Sequence, residues 1–361
     1  MCSFGAHHLI ACHHPTLWKD ELLPRRDIVV IGGSLGAIRA LQELVRELPS
    51  DFSAPIFVVV HIPSDVPSLL HQLLARSGGI PAIQPFDGDP IEAGHIYVAP
   101  PDHHLTIEPG VVRVLRGPRE NRHRPAIDPL FRTAARTYGS RVVGVILSGR
   151  LDDGSAGLLA VKGRGGMTVV QDPDEADSPE MPARAIQYVR PDYVLPSRAI
   201  GQKLTSLTQE SDRLVMAGKK SARSETGNNS EDNLHAAYAD EGEGTPSVFA
   251  CPECSGVLWE LKDHELVRFR CRVGHSYTMD SLHQEFSQST EAALWAAMRA
   301  LEEKSAMNRR IAEGSQTNES LAKRFLDQAQ SDDASAKVIR EIIFKNSGQP
   351  KVEETREKTG T

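Results

Sequence analysis

The sequence predicts an α/β protein whose larger part is a doubly wound, mostly parallel sheet. Between residues 25 and 207, short buried-type strands alternate with segments whose apolar residues recur at helical spacing. That alternation is typical of a parallel sheet covered by helices on both faces. Later in the chain, three of the five cysteines fall between residues 251 and 271, after a polar and acidic stretch. A small separate module is therefore expected there.

The predicted elements follow one another in a regular order. DIVVIGG begins the series as a buried strand, and IFVVVHIP is a second strand of the same kind. Pro-Gly between LTIE and VVRVL predicts a hairpin turn. The remaining segments are predicted as the helices IRALQELVREL, SLLHQLLARSG, DPLFRTAARTY, SAGLLAVKGRGG and MPARAIQYV, and as the strands RVVGVILSG, MTVVQD and DYVLP.

Shifts in composition along the chain predict six segments. These are a disordered N-terminal segment at 1–24, the α/β domain at 25–207, a flexible acidic linker at 208–247, a cysteine-rich module at 248–283, a helical tail at 284–346 and a disordered end at 347–361.

Composition also excludes several classes of partner and location. A formal net charge of −7 and an aromatic share of 5% argue against nucleic acid as a partner. No apolar run approaches the ~18 residues of a membrane-spanning helix, so no membrane insertion is expected. Five cysteines in 361 residues are too few for a disulfide scaffold, and residues 1–24 do not read as a secretory signal. A cytoplasmic protein is therefore expected.

Three polar residues follow the ends of predicted parallel strands. Ser34 follows the first strand, His61 the second, and Asp153 the strand RVVGVILSG. Active sites of open α/β sheets collect at the carboxyl ends of the strands, so these side chains are expected to meet. A serine becomes a nucleophile when an imidazole takes its proton and a carboxylate orients the imidazole. Asp152 is an alternative carboxylate by residue type.

Two other folds fit the glycine-rich turn GGSLGA but conflict with other residues. G-x-S-x-G is the nucleophile elbow of α/β-hydrolases, yet in that fold the histidine follows the acid, and the only histidine between Asp153 and His264 is His235 in the acidic linker. A dinucleotide-binding fold requires G-x-G-x-x-G, and Ser34 and Ala37 occupy the second and third glycine positions. His61 also stands where an acidic residue should hold a ribose.

The stretch from 27 to 206, about half of the chain, resembles a known family. Six motifs that follow one another in order carry the resemblance. They are GGSLGA, VVVHIP, FDGDPIEAGHIYVAPPDHHL, HRPAIDPLF, ILSGRLDDG and QDPDEADSPEMPARAI. The segment resembles the catalytic domain of chemotaxis protein-glutamate methylesterases of the CheB type. The resemblance implies hydrolysis of glutamyl γ-methyl esters, a related glutaminase activity, and no cofactor for catalysis.

The resemblance also implies roles for individual residues. Ser34 is expected to be the nucleophile, His61 the general base and Asp153 the orienting carboxylate, because Asp153, unlike Asp152, immediately precedes the glycine of the family motif. The expected oxyanion or substrate residues are Gly33, Leu35, Arg150 and Met181. Leu35 replaces a threonine found in some members, and Arg150 replaces a methionine, which predicts altered substrate preference or tuned activity.

The resemblance predicts the partners as well. The substrate is expected to be a methylated chemoreceptor or sensor protein, with a cognate methyltransferase or kinase in the same system. Only residues 1–24 precede the first strand, too few for a receiver domain of roughly 120 residues, so a stand-alone form is predicted. Two alternatives stay open: a catalytically weak signalling adaptor, and a hydrolase of small esters.

Four residues in the cysteine-rich module have the spacing of a structural metal site. Cys251 and Cys254 form one pair, and Cys271 and His275 form the second, with the strands VLWEL and LVRFR between them. This is typical of a tetrahedral zinc ribbon with no open coordination position. The whole chain is thus predicted as a doubly wound α/β sheet, followed by a small zinc-ribbon-like module and C-terminal helices.

Two further features have competing interpretations. Seven arginines give the acidic protein a basic segment that either steers an acidic substrate or is a solvated loop: Arg113, Arg116, Arg119, Arg122, Arg124, Arg132 and Arg136. The helix after the module carries an apolar stripe that is either its own packing face or a docking face, formed by Leu282, Phe286, Ala293, Leu294, Ala297, Met298 and Leu301.

Overall fold

The computed structural model describes residues 26–217, 244–263, 266–314 and 318–346. The segments predicted to be disordered, 1–24 and 347–361, lie outside the described residues, and so does most of the predicted linker. Among the helices that are described, none combines the length and the apolar character that a membrane crossing requires.

A seven-stranded parallel sheet forms the centre of the larger unit, in the order β3-β4-β2-β1-β7-β8-β9. Its strands are β1 (Ile28–Gly33), β2 (Ile56–Val60), β3 (Ala82–Ile83), β4 (Ile96–Val98), β7 (Val142–Ile146), β8 (Met167–Gln171) and β9 (Tyr193–Leu195). Strand order reverses at β1, where the chain runs outward to β2 on one side and later returns to β7 on the other. Such a switch point opens a crevice at the carboxyl ends of the strands.

Helices cover both faces of this sheet, as the alternating pattern predicts. One face carries α1 (Ala37–Arg46), α2 (Leu70–Ser77) and α6 (Ser197–Ala217). The opposite face carries α3 (Ile127–Tyr138), α4 (Ser155–Gly163) and α5 (Glu180–Val189), together with the hairpin β5 (His104–Glu108) and β6 (Val111–Leu115). The prediction of a mostly parallel α/β fold is confirmed.

Helix α6 differs from the predicted domain boundary. It continues to Ala217, so residues 208–217 are helical although the composition predicted a flexible linker from 208. The segment QESDRLVMA contains several good helix formers, and the polar residues among them do not interrupt a helix that has already started. The change to polar composition at residue 208 therefore does not coincide with the end of α6.

The C-terminal part of the chain contains a second sheet and two long helices. The antiparallel strands β10 (Thr245–Ala250), β11 (Val257–Asp263), β12 (Leu266–Cys271) and β13 (Ser276–Thr278) pair in chain order. The strands VLWEL and LVRFR are thus neighbours, as predicted. Below, the C-terminal module means these four strands and the start of the following helix.

Helices α7 (Met279–Gly314) and α8 (Glu319–Asn346) pack against each other. Their small apolar core consists of Met298, Ala336 and Ile343, with Leu294, Leu301 and Ile339 beside it. Part of the predicted apolar stripe is therefore the packing face of α7 against α8.

Candidate active site and metal-ligand cluster

Ser34 lies in a tight turn between β1 and α1. Its backbone N–H donates to the carbonyl of Ser148 at 2.9 Å, which ties the turn to the end of β7. Gly36 in the same turn has φ 82°, and a Cβ at this position would come within 2.5 Å of Asp177 Cβ and 2.7 Å of Ser148 Oγ. Glycine is required at position 36 because both the backbone conformation and the available space exclude a side chain.

Gly36→Ala is expected to destabilise the protein and to disturb Ser34, because alanine adds left-handed strain and a steric clash together. The strain by itself is about 1–2 kcal/mol. Gly88→Ala is the matched control, since Gly88 has φ 87° and open space where a Cβ would be added. Urea denaturation should show a clearly larger loss of unfolding free energy for Gly36→Ala. Equal losses would show that the turn at Ser34 is not sterically constrained.

His61 and Asp153 form a buried hydrogen-bonded pair beside this turn. Nε2 of His61 lies 2.7 Å from Oδ2 of Asp153, and the two side chains are 5% and 2% exposed. The backbone N–H of His61 donates to the carbonyl of Gly33 at 3.1 Å, which places His61 next to the strand end that precedes Ser34. Nδ1 of His61 is buried and has no hydrogen-bond partner within the described part of the chain. It is the nitrogen left to accept a proton.

Asp153 lies at the N-terminus of α3, where it accepts backbone hydrogen bonds. The N–H of Ile127 donates to Oδ2 at 2.7 Å, and the side-chain amide of Asn121 donates to Oδ1 at 2.9 Å. Burial disfavours the charged carboxylate, but the hydrogen bonds from His61 and Ile127 and the charge of His61 hold the pKa of Asp153 well below its usual range. The group is therefore ionised at neutral pH and can stabilise an imidazolium.

Two neighbouring carboxyl groups have pKa values shifted in the opposite direction. Burial and the charge of Asp153 raise the pKa of Asp128, which accepts hydrogen bonds from Gly157 and Asn121. Burial also raises the pKa of Asp152 to about 7, although a hydrogen bond from Thr278 opposes the shift. Asp152 is thus bonded to Thr278, whereas Asp153 is bonded to His61.

The raised pKa of Asp152 predicts a pH-dependent stability. The ordinary value is 3.8, so between about pH 4 and pH 7 the folded protein holds a proton that the unfolded chain releases, and stability falls as pH rises through this window. Asp152→Asn removes that loss while keeping an oxygen that accepts from Thr278. Relative to wild type, the variant should gain on the order of 4 kcal/mol at pH 8 and little at pH 4. Urea denaturation at both pH values measures this, and an equal effect at both would contradict it.

His123 stacks on His61, a contact that the sequence did not suggest. The ring centroids are 3.5 Å apart and the planes differ by 12°. Burial, and then the charge of His61, lower the pKa of His123 to about 3, so this ring stays neutral. A neutral, flat neighbour fixes the plane of the His61 imidazole.

The four expected oxyanion or substrate residues lie in different environments. Leu35 is 55% exposed, and its backbone N–H donates to no protein group among the described residues. Arg150 is exposed, whereas Gly33 is buried in β1. Met181 is completely buried, and a Cβ added to Gly149 would come within 2.7 Å of its sulfur and 3.0 Å of Ser34 Cβ. Met181 therefore supports the wall behind Ser34 and is not available for direct contact with a substrate.

The basic segment consists largely of arginines that have acidic partners within the chain. Five of the seven form ion pairs: Arg113 with Asp87 and Glu108, Arg116 and Arg124 with Asp102, Arg122 with Glu285, and Arg132 with Glu120. This internal pairing argues against substrate steering, and four of the five paired arginines are at most 22% exposed, so the segment is not a solvated loop either.

Four potential metal ligands meet in the C-terminal module. Ligand atoms of Cys251, Cys254, Cys271 and His275 all lie within 4.8 Å of one another. Sγ of Cys254 and Sγ of Cys271 are 3.5 Å apart, and Nδ1 of His275 is 3.6 Å from Cys251 Sγ and 3.5 Å from Cys271 Sγ. A tetrahedral zinc ion places sulfur and nitrogen ligands about 3.5–3.8 Å apart. The observed separations fit that geometry, and the three thiols are free.

The surroundings of this cluster also fit a metal ion. Nε2 of His275 lies 3.2 Å from a carboxylate oxygen of Glu253, so the nitrogen not used in the cluster is oriented by an acid. Such a carboxylate is typical behind a metal-bound histidine. The hydroxyl of Tyr277 lies 3.8 Å from Cys251 Sγ. The donor set of three thiols and one imidazole is the one that structural zinc sites use.

Two residues of the site were missed by the sequence analysis, Asn121 and His123. Both lie in the loop before α3, where His123 is the first residue of the motif HRPAIDPLF and Asn121 precedes it by two positions. The sequence showed that this motif leads into a helix, but nothing in it indicated which side chains would reach Asp153 and His61.

Comparison with known proteins identifies the family of the α/β unit. The family model of the CheB methylesterase matches residues 29–204. A putative protein-glutamate methylesterase/protein-glutamine glutaminase from Leptospira interrogans is 38% identical over 184 residues, which are 51% of this chain and 95% of that protein. The chain belongs to the CheB methylesterase family. The resemblance drawn from the six motifs is confirmed.

Other CheB relatives are longer than the matched region. A protein-glutamate methylesterase/protein-glutamine glutaminase 2 from Anaeromyxobacter dehalogenans is 40% identical over 185 residues, covering 51% of this chain and 54% of that protein. The match thus spans about half the length of that CheB relative. The crystal structure of the Thermotoga maritima CheB methylesterase catalytic domain is 35% identical, with a TM-score of 0.48, over 50% of this chain and 98% of that one.

Proposed function

We propose that this chain hydrolyses glutamyl γ-methyl esters of a chemoreceptor or sensor protein by a serine–histidine–aspartate mechanism. The observation that carries the proposal is the buried His61–Asp153 pair, which leaves Nδ1 of His61 without a partner beside the Ser34 turn. The printed names of the relatives support the choice of substrate, since both name protein-glutamate methylesterase activity. An intact acid–base pair favours turnover over a purely adaptor role.

In the first half of the reaction, the Ser34 hydroxyl attacks the ester carbonyl while Nδ1 of His61 takes the proton. Asp153 stays ionised and stabilises the imidazolium through Nε2. The tetrahedral intermediate then collapses, and His61 returns its proton to the departing methoxide, which leaves as methanol. An acyl ester between the substrate's γ-carbonyl and Ser34 remains.

In the second half, water attacks this acyl ester with His61 as general base. The C–O bond to Ser34 breaks, Ser34 recovers its proton, and the glutamate carboxylate is released. The same acyl ester would form from a glutamine side chain with ammonia as leaving group, so glutaminase activity needs no further residue.

Charge developing on the substrate oxygen needs donors near Ser34. The N–H of Leu35, which has no acceptor among the described residues, and the N-terminus of α1 would supply them. One such donor is typically worth about 10²–10³ in rate. Arg150 is exposed and follows the carboxyl end of β7, so its charge would attract acidic residues around the substrate glutamate.

The experiment that tests the function compares two kinds of substrate. Full-length protein is incubated with methylated receptor cytoplasmic fragment, and released methanol is measured against a small activated ester such as p-nitrophenyl acetate. We expect methanol release from the receptor at a far higher kcat/KM than hydrolysis of the small ester. Turnover of the small ester with none on the receptor would instead support a hydrolase of small esters, and no turnover of either would support the adaptor.

We also propose that Cys251, Cys254, Cys271 and His275 hold a structural zinc ion. The ligand separations and the carboxylate behind His275 support this assignment, and four protein ligands leave no position for substrate. Zinc would fold and stiffen the module and would take no part in ester hydrolysis.

Purified protein is expected to contain one zinc ion per chain. Cys254→Ser should lower the zinc content to near zero, because three ligands retain a structural ion poorly. His283→Gln is the control, since this nearby histidine is not one of the four clustered ligands, and it should leave the metal content unchanged. Elemental analysis after gel filtration gives the ratio, and zinc retained by Cys254→Ser at wild-type level would contradict the assignment.

The remaining parts of the proposal follow from the substrate. Methylated receptor segments lie in the cytoplasm, and free thiols in the C-terminal module agree with a reducing compartment. A cognate methyltransferase or kinase as a further partner stays a prediction of the family resemblance.

A further inference from the structure

The C-terminal module packs directly against the larger α/β unit, below called the catalytic unit, beside the proposed triad of Ser34, His61 and Asp153. Thr278, the last residue of β13, donates its hydroxyl to Oδ1 of Asp152 at 2.7 Å. The backbone N–H of Asn121 donates to the carbonyl of Ser276 at 2.8 Å. Exposed fractions among these residues run from 0% for Thr278 to 4% for Ser276. The contact is therefore a buried interface one residue away from the catalytic carboxylate.

The side-chain amide of Asn121 connects the two units. On one side, Nδ2 donates to Asp153 Oδ1 at 2.9 Å and to Asp128 Oδ2 at 3.0 Å. On the other side, Oδ1 accepts from the N–H of Thr278 at 3.0 Å and lies 3.1 Å from the hydroxyl of Ser281. Both amide hydrogens and the amide oxygen are thus occupied. The amide nitrogen of Asn121 bonds to the carboxylates of the catalytic unit, and its amide oxygen bonds to the C-terminal module.

The module presents these groups from the rigid start of α7. The N–H of Ser281 donates to Thr278 Oγ1 at 3.2 Å, and the N–H of Thr278 donates to Ser281 Oγ at 2.9 Å. This reciprocal pair is a capping-box arrangement, which fixes the first turn of a helix. The groups that hold the Asn121 amide therefore cannot move independently of the module.

Ion pairs cross the same interface at its edge. Arg122 lies 2.6 Å from Glu285, and Arg184 on α5 lies 2.9 Å from Asp280. Each pair joins the catalytic unit to α7, and the four side chains are between 22% and 36% exposed. Exposed pairs contribute little stability, so they set the docking orientation more than its strength.

The strand that touches Asn121 is also attached to the metal-ligand cluster. Cys271 ends β12, and His275 immediately precedes β13. Their backbones are joined by a hydrogen bond from the N–H of Cys271 to the carbonyl of His275 at 3.0 Å, and Arg270 pairs with Ser276 in the next register position. The position of Ser276 and Thr278 therefore depends on the order of the segment that carries two of the four ligands.

We propose that Asn121 is a positioning residue for the esterase, held by the C-terminal module, so that metal loading of the Cys251–Cys254–Cys271–His275 cluster determines how firmly Asp153 is oriented. This inference rests on the proposed esterase function. It makes the metal site, which contains no catalytic group, a determinant of catalytic rate.

The expected effect is on kcat. Asn121 bonds to Asp153 and not to substrate, so loosening it disturbs the orientation of the base without changing how the substrate binds. Loss of a group that orients a catalytic residue typically lowers the rate by about 10–100-fold.

Three side-chain variants in the full-length protein test the positioning role. Thr278→Val keeps the shape but removes the hydroxyl that bonds to Asp152 and caps α7, and we expect kcat to fall about tenfold with KM unchanged. Thr278→Ser restores a hydroxyl and should return kcat to near wild type. Asn121→Gly, which suits the φ of 47° at this position, should lower kcat by about 10–100-fold, again with KM unchanged.

Metal removal tests the coupling with a readout that does not depend on activity. Full-length protein is treated with a chelator, and hydrogen–deuterium exchange of residues 119–128 is followed by mass spectrometry together with kcat. We expect faster exchange in this segment and a lower kcat, both reversed by added zinc. Exchange in α1, on the other face of the sheet, serves as the internal control and should not change.

The outcomes separate this inference from the proposed function. Unchanged exchange in 119–128 after metal removal, or faster exchange with unchanged kcat, overturns the inference while the esterase assignment stands. An equal loss of kcat in Thr278→Ser and Thr278→Val also overturns the positioning role. If the wild-type protein releases no methanol from receptor although exchange responds to zinc, the esterase assignment fails and only the structural coupling is supported.

Discussion

Ser34→Ala is expected to abolish methanol release from methylated receptor while leaving the fold unchanged. The substitution removes the attacking oxygen, and the remaining groups cannot form the acyl ester. Loss of the nucleophile in a serine–histidine–aspartate site lowers kcat by roughly 10⁶. Ser34 is only partly buried in the turn, and its backbone N–H still donates to Ser148, so the packing of β1 and α1 is retained.

A second exposed serine provides the control for this substitution. Ser64 is exposed and lies in the loop after β2, three residues past His61. Ser64→Ala should therefore behave as wild type. A fluorophosphonate probe should label wild type and Ser64→Ala but not Ser34→Ala. The labelled peptide should be the one that contains the GGSLGA turn. Methanol release by Ser34→Ala within tenfold of wild type would refute the nucleophile assignment.

Asp153→Asn is expected to lower kcat by about 10⁴, the loss seen when a triad carboxylate becomes an amide. An amide group facing Nε2 of His61 no longer provides a negative charge, so the imidazolium formed during attack is not stabilised. The N–H of Ile127 and the amide of Asn121 also donate to this group, and an amide nitrogen in place of an oxygen would leave one of those donors unpaired.

Asp152→Asn is the matched control, since Asp152 is the adjacent carboxylate and is equally buried. Its oxygen still accepts from Thr278 after substitution, and it makes no bond to His61. This variant should therefore keep kcat within a few-fold of wild type in a methanol-release assay. A larger loss in Asp152→Asn than in Asp153→Asn would mean that the orienting carboxylate has been assigned to the wrong residue.

The central sheet and the pair of side chains at its edge could be predicted because their signals are local. Buried strands were visible as β-branched runs, and parallel pairing brings their carboxyl ends together whatever the sequence between them. The position of His61 and Asp153, each just past such a run, was therefore enough to predict that they would meet. Residue type could not distinguish Asp153 from Asp152 as the orienting carboxylate, and only the family motif indicated Asp153.

Asn121 and the docked C-terminal module could not be predicted for the opposite reason. The hydrogen bond from Thr278 to Asn121 joins residues separated by 157 positions, with the acidic linker between them, and no sequence pattern relates the two. Polar residues such as asparagine and threonine are common in loops and at helix starts, and nothing in their identity indicates a distant partner. The arginines of the basic segment illustrate the same limit, because their acidic partners are scattered from Asp87 to Glu285.

The orientation of the His61 ring has a consequence for how the base operates. In serine proteases of the chymotrypsin type, the distal ring nitrogen faces the serine and the proximal one holds the acid. Here the distal nitrogen, Nε2, is bonded to Asp153, which leaves the lone pair on Nδ1, the atom closest to the main chain. The proton acceptor is thus the ring nitrogen nearer the main chain, and the bond from Nε2 to Asp153 together with the stacked ring of His123 holds it in place. A ¹⁵N spectrum of the resting protein should therefore show one tautomer, with the proton on Nε2 and Nδ1 bare.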